Sequence, residues 1–414
     1  MRASHPENGL RIVRERAPLG IVYAAWFTGG NYCTRQRYAI NPSDIHSSTA
    51  KRRSSPRCRG SMAFSGSRPM TTHWNNVHVL VTGGASFIGA HLTRALVTAG
   101  ATVRVADDLS SGSRANIQDL VASDAIEFDE CDLRDPGAAR AAVRGVQTVF
   151  HLAADHGGRG YVDLHQAGPA GNLLLDGLVF REALLAGVER IVFASSGCVY
   201  PNHLQRDPSQ ILLLSEDLVG PPFDSDNMYG YAKLMAELTL QAFAREHGLR
   251  TASCRYFTVY GPLAKENHAI IAMIARAHVR QDPFDIWGDG EQIRNWTYVD
   301  DIVAGTLLAA ERISDGRAVN LGTTERIRVR DAAALICDLM DHHPYFRLRP
   351  DMPSGPANRV ASNTLARETL GWSPVNSFDV GVGRTIAWYT AAKSRRDVEH
   401  ILANDGLISR RVAN

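Results

Sequence analysis

After Met70 the chain alternates short β-branched apolar runs with amphipathic stretches, in the order "VHVLVTG", "ASFIGAHLTRALVTAG", "TVRVAD", "GVQTVFHLAA" and "ERIVFASSG". Short apolar runs separated by helical patterns specify βαβ units, because parallel strands need a long crossover connection. Helical crossovers cover both faces of the sheet, so the strands read as nearly continuous apolar runs. The expected fold is therefore α/β, a Rossmann-like doubly wound parallel sheet. "LRTASCRYFTVYGP" reads as one more strand. Beyond it, Pro-rich loops and the helical stretches "AIIAMIARAHV" and "VRDAAALICDLM" predict a smaller α/β C-terminal substrate domain.

The expected division is 1–69 as an N-terminal extension, 70–255 as the dinucleotide-binding domain, 256–400 as the substrate domain and 401–414 as a tail. Some segments of 256–400 are expected to return to the main sheet. The formal net charge of +2 hides an uneven distribution. Residues 1–69 hold twelve Lys or Arg against Glu7, Glu15 and Asp44, an excess of +9 that leaves −7 for residues 70–414. An acidic body offers no large footprint for phosphate backbones, so no nucleic-acid partner is expected. The basic extension lacks helical or alternating periodicity, and Met70 stands just before the first clean strand. It therefore reads as a disordered segment or as sequence upstream of the native start.

No run approaches the roughly 20 apolar residues of a membrane span. No secretory signal is evident either, and a cytoplasmic location is expected. The six cysteines, at 33, 58, 131, 198, 254 and 337, show neither CxxC pairing nor zinc-type spacing. Reduced thiols and no bound metal follow.

The stretch "HVLVTGGASFIGAHL", residues 78–92, is a strand, a glycine turn and a helix start. A helix beginning directly after a strand aims unpaired N–H groups and a positive dipole end at whatever lies above it, which suits a pyrophosphate. Gly83, Gly84 and Gly89 supply the turn, and Ser86 stands where a dinucleotide loop usually has its middle glycine. With a negative φ, Ser86 is accommodated and its hydroxyl can donate to a phosphate. Phe87 and Ile88 follow at the helix start. Asp107 closes the second strand near the spacing at which an acid accepts from a ribose 2′-OH and repels a 2′-phosphate, which favours NAD over NADP. Asp132 is a candidate for the adenine ring or for a cap on the helix starting "RDPGAAR". Leu133 and Ala153 complete the expected cofactor contacts.

"MYGYAKLMAE" places Tyr229 and Lys233 on one face of a helix. The strand end "FASSGCVYP" brings Ser195, Ser196 and Cys198 to the carboxyl edge of the sheet. Such a group suits removal of a proton from a sugar hydroxyl while hydride leaves the same carbon. Tyrosine acts as that base only if its pKa falls from about 10, each unit amounting to about 1.4 kcal/mol. Lys233 is placed to favour the phenolate, and Ser196 to orient the hydroxyl.

From about Val77 to about Tyr389 the chain resembles the extended short-chain dehydrogenase/reductase family, in "TGGASFIG", "HLAAD", "GNLLLDGLVFREA", "YGYAK", "WGDGEQIRNWTYVDD", "VNLGTTE" and "LGWSP". The resemblance implies tightly held NAD, a nucleotide-binding C-terminal domain and a homodimer joined by a helical bundle. Within that family, "AADHGGRGY" and "SSGCVYP" are most similar to the GDP-mannose 3,5-epimerase branch. That likeness implies a nucleotide-diphosphate sugar, a GDP-hexose, as substrate and Cys198 as an acid/base. The branch's second acid/base lysine aligns with His268, whose type suits the role, and Lys265 is the alternative.

Gly158, Arg159 and His156, in "HGGRGY", are expected to approach the sugar. Arg294 and Arg359 match positions that hold the diphosphate, while Asn172 reads as structural. The leading expectation is epimerisation through a 4-ketone. The alternatives are a 4-epimerase, a dehydratase in which Cys198 takes the C5 proton, and a non-enzymatic nucleotide sensor.

Overall fold

The computed structural model describes residues 72–404, so the 1–69 extension lies outside the described residues. The apolar runs become β1 (His78–Thr82), β2 (Thr102–Asp107), β3 (Ile126–Glu130), β4 (Thr148–His151), β5 (Arg190–Ser196) and β6 (Arg250–Tyr256). With the later strand Asp315–Leu321 they form a seven-stranded sheet, ordered Asp315–Leu321, β6, β5, β4, β1, β2, β3. Every neighbouring pair is parallel. This is the doubly wound α/β fold expected from the alternation.

The helices that precede and frame the site are α1 (Phe87–Thr98), α2 (Gln118–Ala122), α3 (Pro136–Ala142), α4 (Arg159–Leu164), α5 (Ala167–Ala170), α6 (Asn172–Leu185), α7 (Asn227–His247) and α8 (Ala269–His278). Side chains alternate across a strand, so β1 feeds two cores. Val79 and Val81 pack with Leu92 and Leu96 of α1 on one face. Leu80 packs on the other, in the cluster that includes Leu175 and Val179 of α6 and Leu240 of α7. The chain moves outward from β1 to β2 and β3, then crosses back to β4, β5 and β6. Between β1 and β4 the direction of winding reverses, and a crevice opens above their carboxyl ends.

The C-terminal half builds a separate core from Ile270, Ile271 and Ile274 of α8 with Phe284, Ile286, Trp296, Ile336 and Phe378. Strand Phe284–Trp287 pairs in parallel with Phe346–Arg349, and Ile293–Arg294 lies between Ile327–Arg328 and Asn358–Arg359. Residues beyond 256 are not one block, because Asp315–Leu321 rejoins the main sheet and helix Val299–Arg312 packs on β5 and β6. Residues 401–403, expected in the tail, complete helix Arg395–Ala403, which buries Val398; residues 405–414 lie outside the described residues. Among the described residues no helix is long and apolar enough to cross a membrane.

Candidate active site

The turn from β1 to α1 permits little but glycine at two positions. Gly83 has φ +69, and a β-carbon there would lie 2.8 Å from the Ala153 nitrogen. At Gly89 a β-carbon would sit 2.1 Å from the Gly83 oxygen, so helix and turn touch backbone to backbone. Ser86 has φ −85, an ordinary extended value, and caps α1 without strain. Its hydroxyl donates to the Gly83 carbonyl at 2.5 Å. That bond closes the turn at the mouth of the cleft that Ser86 lines. Ser86 therefore preserves the loop, and Phe87, Ile88 and Gly89 open the helix with N–H groups that no preceding turn can satisfy.

Asp107 is 5% exposed and belongs to the loop as much as to the cleft. Its carboxylate accepts from the Ala85 nitrogen at 3.0 Å and the Leu109 nitrogen at 2.9 Å. Burial pushes its pKa up, and those N–H groups oppose the push. Asp132 pairs instead with Arg134, at 2.7 Å, which holds its carboxyl low. It does not cap α3; Asp135 does, accepting from the Ala138 nitrogen at 2.8 Å. Gly83, Ser86, Asp107, Asp132, Leu133 and Ala153 line one cleft. Ser86, Leu152, Ala154 and His156 also line the adjoining cavity of about 370 Å³, which Phe87 and Ile88 border.

That cavity is walled by Tyr229 and Lys233 of α7 and by Ser196 and Cys198 after β5. Lys233 is 1% exposed, with Nζ 4.5 Å from the Phe193 ring centroid and 5.8 Å from that of Tyr229. Burial pushes the Tyr229 phenol up, the Cys198 charge adds to this, and a hydrogen bond with Ser196 opposes it. Burial also pushes Lys233 down. The chain's own field thus moves Tyr229 opposite to the direction that proton abstraction requires. Ser196 Oγ accepts from the Cys198 nitrogen at 3.1 Å. A β-carbon on Gly230 would lie 2.3 Å from the Cys198 oxygen, so the glycine of "YGYAK" brings α7 against the cysteine turn. Ser195 is buried and donates to Glu237, away from the cavity.

Around Cys198 the structure assembles charges that the sequence leaves apart. Arg359 Nη1 lies 3.2 Å from the sulfur, while Nη2 donates to Asp226 at 2.8 Å and Nε to Gln205 at 2.7 Å. Arg159 Nη1 also donates to Asp226, at 2.7 Å, and its Nε to Asp163 at 2.7 Å. Burial alone would raise the Asp226 pKa, but Arg359 and Arg159 hold its carboxyl well below the usual range. Arg294 donates to the carbonyls of Ile293 and Ser354, both at 2.8 Å. Burial, with Arg359 and Arg159 adding, pushes its pKa down to about 9. Asp226 and Gln205 were not singled out from the sequence; the one available signal is that Asp226 stands at the N-cap of α7.

His268 and Lys265 both line the cavity. His268 caps α8 with its ring centroid 6.3 Å from that of His156. Burial, with Lys265 adding, pushes its pKa down to about 4, so the near-neutral titration expected of it is lost. Gly158 lines the cavity, and its backbone lies against Asn267, whose oxygen a β-carbon there would meet at 1.6 Å. Arg159, expected on the sugar, is engaged by Asp163 and Asp226. Asn172 holds the Asp155 backbone at both its N–H, 2.6 Å, and its carbonyl, 3.0 Å. Among the described residues no cluster could hold a metal ion.

Residues 79–322, more than half of the chain, match the family described as NAD dependent epimerase/dehydratase. The chain belongs to that family. GDP-mannose 3,5-epimerase 1 of Oryza sativa subsp. japonica is 30% identical over 318 residues, covering 75% of this chain and 81% of the relative. An epimerase from Methanothermobacter thermautotrophicus is 30% identical with a TM-score of 0.71, covering 80% of this chain and 99% of that one. The dTDP-glucose 4,6-dehydratase DesIV of Streptomyces venezuelae, solved with NAD bound, is 26% identical with a TM-score of 0.69, covering 76% and 98%. This epimerase/dehydratase is thus an enzyme with NAD as its cofactor. Its cleft fits that cofactor: glycines stand where β-carbons would collide, a carboxylate ends β2, and Lys233 is buried with no ion pair among the described residues.

Proposed function

We propose that this enzyme is a nucleotide-sugar epimerase that inverts C3 and C5 of a GDP-hexose, such as GDP-mannose, through a transient C4 ketone. The observation that carries the proposal is the Cys198 thiol, 3.2 Å from the Arg359 guanidinium, on the wall of the cavity that also holds Tyr229 and Lys233. The 30% identity with a GDP-mannose 3,5-epimerase supports the same reading.

In this reading Ser196 orients the C4 hydroxyl and Tyr229 removes its proton, with Lys233 favouring the phenolate against the burial that opposes it. NAD, when bound, supplies the reversible hydride acceptor that lets C4 become a ketone. The carbonyl acidifies the hydrogens on C3 and C5. Cys198 takes one of these protons, and a second group returns a proton from the opposite face. Lys265 is the better second group, because His268 at about 4 stays unprotonated near neutrality. Arg294 and Arg359 hold the diphosphate, for which a planar fork is suited. Gly83, Ser86, Phe87, Ile88, Gly89, Asp107, Asp132, Leu133 and Ala153 form the cofactor side. Gly158 and Arg159 fix the loop beside the sugar.

A homodimer working in the cytoplasm belongs to the same proposal. Leu173, Leu174 and Leu185 on α6 and Tyr231 and Met235 on α7 are exposed apolar side chains on two helices that pack together. The free thiols Cys131, Cys198, Cys254 and Cys337 suit a reducing compartment. Incubation with GDP-mannose in heavy water tests the reaction by proton NMR. Deuterium at both C3 and C5 is expected. Deuterium at C5 alone indicates dehydration or 5-epimerisation, and its absence indicates 4-epimerisation.

A further inference from the structure

The cavity continues past the reacting groups into the C-terminal half, where Met273, Arg276, Ile286 and Trp287 line it. Arg276 lies on α8 beyond His268, about 12 Å further along the axis at about 1.5 Å per residue. It is 5% exposed, and no hydrogen bond or ion pair to its guanidinium occurs among the described residues. A buried cation without a hydrogen-bond partner is costly. Burial pushes its pKa down to about 10, Asp285 opposing and Arg349 adding. Asp285 is itself held by Arg347, through two hydrogen bonds at 2.6 and 2.9 Å. The Arg276 guanidinium carbon stands 5.9 Å from the Trp287 ring centroid. A donor fork with no hydrogen-bond partner among the described residues, together with the flat aromatic it lies over, thus faces a ligand cavity at a distance from the sugar chemistry.

We propose that Arg276 and Trp287 read the base of the nucleotide sugar as guanine, Arg276 donating two N–H groups to O6 and N7 while the indole covers the ring. A guanidinium fork matches two adjacent acceptors, and guanine presents O6 and N7 side by side. Adenine sets an amino donor beside N7, and thymine or uracil offers O4 beside a carbon. The inference rests on the proposed function, whose nucleotide it specifies.

Calorimetric titration of the NAD-loaded full-length protein with GDP, UDP and ADP tests it. GDP is expected to bind most tightly. Arg276→Met should lower GDP affinity roughly 5- to 100-fold, as loss of a bidentate base contact does, and leave UDP affinity unchanged. Arg276→Lys keeps the charge without the fork; should the methionine variant not fold, it must show the same selective loss. Wild-type protein that binds UDP or ADP as tightly as GDP overturns the inference, as does a folded variant that loses GDP and UDP equally. The titration involves no turnover, so base selection is read even if heavy water leaves GDP-mannose unlabelled, a result that counts against the epimerisation alone.

Discussion

Arg359 Nη1 stands 3.2 Å from Cys198 Sγ, and the same guanidinium is tied to Asp226 at 2.8 Å. A guanidinium at hydrogen-bond distance donates to the sulfur and holds it in place on the cavity wall. Tyr229, Arg294, Arg159 and Asp226 are the other charged or titratable groups around this cluster. Arg359→Met removes that donor and should change the rate of Cys198 alkylation by iodoacetamide at pH 7 several-fold. Asp226→Asn loosens the anchor of Arg359 and should change the same rate in the same sense. Mass spectrometry of the Cys198 peptide against time reads both variants. An unchanged rate in both variants would mean that Arg359 does not hold the sulfur.

The glycine turn predicts a contrast between two small substitutions. Gly83→Ala forces a side chain into φ +69, about 1–2 kcal/mol by conformation alone, with its β-carbon 2.8 Å from the Ala153 nitrogen. NAD content of the purified protein, measured by absorbance after denaturation, should fall to near zero. Ser86→Gly removes a hydroxyl bonded to the Gly83 carbonyl and should cost only a few tenths of a kcal/mol, with NAD retained.

Much of this architecture was legible in the sequence because its causes are local. The turn from β1 to α1 follows from neighbouring glycines, and Tyr229 and Lys233 share a helix face by spacing alone. The charge cluster was not legible, since Asp226 joins Arg159 and Arg359 from 67 and 133 residues away. His268 misleads for the same reason: its type suggests titration near neutrality, but the packing around it pushes its pKa to about 4. Gly158 lines the cavity as its motif suggests, but its packing against the Asn267 backbone, 109 residues away, was not legible.

That packing around His268 has a pH signature. Its pKa falls from 6.5 in the unfolded chain to about 4 in the folded one, so the unfolded state binds the proton first. The stabilising effect is full above pH 6.5 and is lost as pH falls towards 4. It amounts to about 2 kcal/mol, allowing for the ring's partial exposure. Urea unfolding at pH 7 and pH 5 should show a smaller loss for His268→Gln than for wild type. Equal losses would remove this assignment.

The exposed apolar residues of α6 and α7 predict self-association. Sedimentation velocity should give a dimer for the wild-type chain and a monomer for Met235→Glu, because Met235 is 52% exposed on α7. A charge buried at an interface without a partner typically costs several kcal/mol. A monomeric wild type would reject the dimer.

The central claim is that Cys198 moves protons on carbons next to a C4 ketone made at Tyr229. Deuterium uptake by GDP-mannose in heavy water, followed by mass spectrometry for wild type and Cys198→Ala side by side, tests it most directly. The account predicts uptake at C3 and C5 by the wild type and at least a hundredfold slower uptake by the variant, about 2.7 kcal/mol of lost catalysis, within the range for acid–base groups. Undiminished uptake by Cys198→Ala would contradict it.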